Sequence, residues 1–92
     1  MNLVEKNNWE NLTYYIDQVE VNIADIKSIS LEINDKIETY NTTYKQVSKS
    51  YSDHGHTYYA TTNKLCIEHD KFGIVPVNQQ ILSKVVSVEF KS

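Results

Sequence analysis

Apolar residues recur at alternating intervals of three and four through the first half of the chain. Trp9, Leu12, Ile16, Val19, Ile23, Ile26, Ser30, Ile33, Ile37, Tyr40, Tyr44, Val47 and Tyr51 follow this spacing, and Ser30 is its one polar member. A heptad sustained over about six repeats is the signature of a coiled coil. As one continuous helix the stretch would reach about 65 Å, at ~1.5 Å per residue. Strict alternation accounts for short pieces, such as Ile29, Leu31 and Ile33, but not for the whole run.

The punctuation agrees with a change of structure midway. Residues 1–54 contain no Gly and no Pro, whereas Gly55, Gly73 and Pro76 all fall in the remainder. The second half is rich in β-branched and aromatic residues between turn signals, which predicts short strands over Thr57–Thr62, Lys64–His69, Phe72–Val77 and Ile81–Phe90. The expected architecture is therefore α+β: a coiled-coil helical stalk over 1–53 and a small antiparallel β cap over 54–92. Ile and Val at both seam positions favour three or more strands, so the expectation is a parallel homotrimer. A β region of this size also needs a partner to fold, because it is too small to bury its own core. The rival arrangement is a helical hairpin folding back around Ser28–Ser30 or Asn34–Asp35.

Composition narrows the function classes. The net charge is −3 and Lys and Arg are not clustered, which disfavours nucleic acid. No run approaches 18 apolar residues, and the N-terminus lacks the apolar core of a signal peptide, so no membrane span is expected. Cys66 is the single cysteine and reads as a small buried hydrophobe. The chain has no phosphate-binding glycine loop, no nucleophile elbow and no zinc-protease motif. His54, His56, His69, Cys66, Glu68 and Asp70 form no recognisable catalytic set, and no enzyme is expected. The tyrosines suggest a sugar- or protein-binding surface. Tyr40, Tyr44 and Tyr51 are assigned to seam packing, and Tyr58 and Tyr59 to opposite faces of a strand, one buried and one exposed.

The residues with metal chemistry are His54 and His56, in Asp53-His54-Gly55-His56-Thr57. On an extended segment His-x-His points both rings to one side. The alternative is two exposed loop histidines. This tripeptide, following the heptads, resembles the trimeric phage tail fibres and tail spikes, several of which bind iron on their threefold axis through His-x-His. The resemblance implies a virion structural or attachment protein, with iron held by His54 and His56 of three chains and a cap contacting a receptor or another virion protein. The second expectation is a small cytoplasmic inhibitor or adaptor of one protein partner.

Overall fold

Three pairs of neighbouring residues take up left-handed backbone: Asp17 and Gln18 (φ 49° and 73°), Asn34 and Asp35 (52° and 65°), and His54 and Gly55 (50° and 80°). Two successive positive φ angles make a type I′ turn, whose twist matches that of a β-hairpin. Each pair joins antiparallel strands: Ile16 faces Val19, Ile33 faces Lys36, and Asp53 faces His56. Gly55 is the residue that takes this geometry without strain. A Cβ built there meets nothing within 4 Å. The expected cost of Gly55→Ala is thus conformational alone, about 1–2 kcal/mol, and urea denaturation measures it.

The computed structural model describes residues 2–8 and 11–92. Their strands are β1 (Leu3–Asn7), β2 (Leu12–Ile16), β3 (Val19–Val21), β4 (Ile26–Ile33), β5 (Lys36–Asp53), β6 (His56–His69), β7 (Gly73–Pro76) and β8 (Val85–Phe90). A 3-10 turn over Ile23–Asp25 precedes β4, capped by the Asn22 side chain, and a one-turn helix, α1 (Gln79–Leu82), precedes β8. The strands form two antiparallel sheets, β1-β2-β3 and β7-β6-β5-β4-β8. The core between them contains Leu3, Tyr14, Ile26, Ile29, Leu31, Leu65, Val77 and Leu82.

The long N-terminal coiled-coil helix is therefore absent from the described residues, and with it the basis for a trimeric stalk. Burial gives the physical reason. Seam positions Val19 and Tyr44 are exposed and Ile37 is 66% exposed, while Tyr14, Ile29 and Leu31, all off the seam, are buried. Leu12, Ile16, Ile33 and Tyr40 pack partly against the core, Ile23 and Ile26 lie inside it, and Val47 and Tyr51 are half-buried. Trp9, the first seam position, lies outside the described residues. Ser30 is a strand residue whose hydroxyl meets that of Thr39 at 2.8 Å across the β4–β5 ladder. A turn at Asn34–Asp35 does exist, between strands. The expected break at Asn63 does not: Asn63 pairs with Gln46 inside β6.

Candidate functional site

β5 and β6 run on far beyond the strands that flank them. β4 pairs with β5 from Lys36 to Asn41, and β7 with β6 from Cys66 to His69, yet the β5–β6 ladder continues from Thr42–Ile67 to Asp53–His56. The overhang is a two-stranded arm, and it elongates the molecule to 50 × 31 × 27 Å. A free two-stranded ribbon is marginal in water. Here the three-stranded sheet buttresses its root.

Tyr14 is the centre of that buttress. Its hydroxyl donates to Glu5 Oε2 at 2.5 Å and accepts the backbone N–H of Leu65 at 3.0 Å. Glu5 in turn receives Lys64 Nζ at 2.7 Å, with both side chains largely sequestered. Burial, then the bond to Glu5, pushes the Tyr14 phenol well above its usual range. Further out, Thr62 Oγ1 accepts the Leu12 N–H at 3.0 Å, and Lys49 Nζ donates to Asn7 Oδ1 and to the Asn8 carbonyl. Leu65, Cys66 and Ile67 point alternately to the two faces, and all three are buried, so both faces are covered at the root. Burial raises the Cys66 thiol above its ordinary value, against the opposing pull of Lys45 and Lys64, which marks it as an unreactive packing residue.

Outward from the buttress the arm is bare. No residue from Ser50 to Tyr59 is buried. Tyr51 and Tyr58 face each other across the ladder with ring centroids 5.1 Å apart and an interplanar angle of 20°. Tyr59 is 78% exposed, and Tyr58 is exposed too, so neither tyrosine of the pair is buried. The register puts Tyr51 and Tyr58 on one face and Tyr59 with Ser50 on the other. Segment 43–66 holds Lys45, Lys49 and Lys64 against Asp53, a net of +2 on a chain whose total is −3. Past Asn41 the outer edge of β5 pairs with no strand among the described residues. Lys45 and Lys49 on that edge discourage indiscriminate strand addition.

The histidines sit at the tip, in different roles. His54 occupies the first left-handed turn position and His56 opens β6. His54 is thus not on an extended segment, and the alternation that would align the two rings does not apply to it. The His54 side chain is 89% exposed, with Nε2 3.4 Å from Asp53 Oδ1. Among the described residues no three His, Cys, Asp or Glu side chains converge as a metal-binding group. No described helix is long and apolar enough to cross a membrane.

The buttress and the tip were not visible in the sequence as a site. Tyr14 lies off the heptad spacing, so that period gives it no place in the core. Tyr58 and Tyr59 fell on a strand, but the absence of any cover over that strand is a tertiary fact. The architecture is thus a two-sheet β protein with a buttressed, tyrosine-tipped arm. No known protein family, curated protein or solved structure matches the chain.

Proposed function

We propose that this chain is a non-catalytic binding module, an adaptor or inhibitor that engages one protein partner through the β5–β6 arm. The observation that carries the reading is the exposure of Tyr58 and Tyr59 on the two faces of a ribbon held out from the body, with half-buried Tyr51 stacked on Tyr58. Tyrosine gives a large amphipathic contact for few rotatable bonds, and serine adapts its hydrogen bonds. Together they are the favoured composition of recognition loops. Ser48, Ser50 and Ser52 with Thr57 and Thr61 supply the second half of that composition. Stacking of Tyr51 on Tyr58 orders both rings before contact, which lowers the entropy lost on binding. The type I′ turn and the Tyr14–Glu5–Lys64 buttress fix the direction of the arm.

A photo-crosslinking amino acid installed at Tyr59, with a control at exposed Val19 on the body, tests this in cells of the protein's own source. One protein should crosslink from the arm and not from Val19. Tyr51→Ser/Tyr58→Ser should weaken its binding by roughly 2 kcal/mol or more, as loss of central tyrosines does, with no change in the folded spectrum. Indiscriminate labelling from both sites, or an adduct indifferent to the double substitution, refutes the reading.

A further inference from the structure

At the end of the sheet remote from the arm tip, three rings meet around His69. Tyr40 on β5 stacks on His69 at the end of β6, with centroids 5.6 Å apart and planes 17° apart. Phe72, in the turn before β7, also contacts His69, with centroids 4.8 Å apart and planes at 35°. The imidazole is fixed by the turn. Its Nδ1 accepts the backbone N–H of Lys71 at 3.0 Å and of Phe72 at 3.3 Å. Both bonds use Nδ1 as an acceptor, so they hold the plane of the ring against the turn. Phe72 is nonetheless 74% exposed and lines an open groove with Glu38, Thr39, Tyr40, His69, Asp70 and Lys71. Glu38 Oε2 takes the Tyr40 hydroxyl at 2.5 Å, leaving its other oxygen free of that bond. Glu68 and Asn41 line the adjoining depression on Tyr40 and His69. Within the lining the carboxylates of Glu38 and Asp70 outnumber the ammonium of Lys71, and Glu68 adds a third acid beside it.

We propose that this groove binds a guanidinium, the arginine side chain of a protein partner. Flat aromatic faces beside carboxylates are the two halves of arginine recognition. The planar cation stacks on a ring while its forked N–H donors reach the acids. A lysine ammonium gains less, because it is a compact, strongly hydrated charge with no face to stack. The His69 ring is held by the turn and the Tyr40 hydroxyl by Glu38, so binding has less to order. The site lies on the body and does not depend on the arm or on the function proposed for it.

The test is a ring-proton NMR titration of the full chain with acetyl-Gly-Arg-Gly-amide, its lysine counterpart and tetramethylammonium. The arginine peptide should shift the Tyr40 and Phe72 signals saturably, with Kd on the order of 1–10 mM, and about fivefold or more tighter than the lysine peptide. Phe72→Ala, a change at an exposed turn side chain, should remove saturation, as should Glu38→Gln/Asp70→Asn. Tyr58→Ala/Tyr59→Ala on the arm should leave the titration unchanged. The site is overturned by the absence of saturable shifts up to about 20 mM, or by a titration that survives Phe72→Ala. The guanidinium assignment is overturned if tetramethylammonium or the lysine peptide binds as tightly.

Discussion

Ile29→Asn is expected to destabilise the protein by roughly 3–5 kcal/mol, combining lost apolar contacts with an amide placed in the core. Ile29 is 0% exposed and lies on β4, the strand held between β5 and β8. Set against a typical total of about 5–15 kcal/mol, that loss leaves little folded protein. Ile37→Asn, at a side chain two-thirds exposed, is expected to change stability by no more than ~0.5 kcal/mol. A heptad seam requires the opposite order, since Ile37 lies on it and Ile29 does not. Urea unfolding of the two variants side by side discriminates, and equal midpoints would contradict the sheet register.

Tyr14→Phe is expected to cost roughly 2–4 kcal/mol, although it removes a single oxygen. The substitution strands the Leu65 N–H beside the apolar core and deprives the sequestered Glu5 of a donor, and each loss carries a desolvation penalty. The same phenol sets an alkaline limit. Burial and the Glu5 bond hold it protonated above the ordinary tyrosine value of 10.0. Above pH 10 the unfolded chain releases this proton and the folded chain keeps it, so stability falls as pH rises; below pH 10 both states hold it and the term is constant. Urea midpoints at pH 8 and pH 11 should therefore diverge more in the unmodified protein than in Tyr14→Phe. An equal decline in both would exclude Tyr14 as the source.

Why the first half reads as a heptad is visible in the ladder. An interval of four returns to the same face of a strand, so Leu12 and Ile16, Tyr40 and Tyr44, and Val47 and Tyr51 satisfy a strand and a helix equally. An interval of three changes face, and a turn between strands can absorb that change. Ile16 to Val19 crosses the Asp17–Gln18 turn in this way. Ile33 to Ile37, an interval of four, crosses the turn at Asn34–Asp35, which resets the parity. Asn-Asp adopts left-handed backbone without any glycine, whereas Asp-Gln carries only half of that signal. The abundance of Ile, Val, Thr and Tyr did favour strands, and burial of one face overrode the helical period. Simple alternation would put Val86, Val88 and Phe90 on one face of β8, but a register shift between Ser30–Ser87 and Leu31–Val85 breaks it. Val85 is the buried residue instead. At the arm, strand propensity over Thr57–Thr62 was legible, but the length of the overhang was not. It depends on where β4 and β7 stop, and no residue within the arm encodes that.

The outer part of the arm lies beyond every flanking pairing of its sheet. β4 pairs with β8 on one side, and β6 with β7 on the other, all at or below the root. Its outer rungs, from Ser50–Tyr59 to the turn, contribute nothing to the buried core. Removing or adding rungs in facing pairs, two residues on each strand, keeps every side chain on its own face and changes reach by about 7 Å a step. Reach and stability are thus separable traits in this chain. Selection acting on what the tip touches can lengthen, shorten or resurface the arm while the body accumulates its own substitutions under a different constraint.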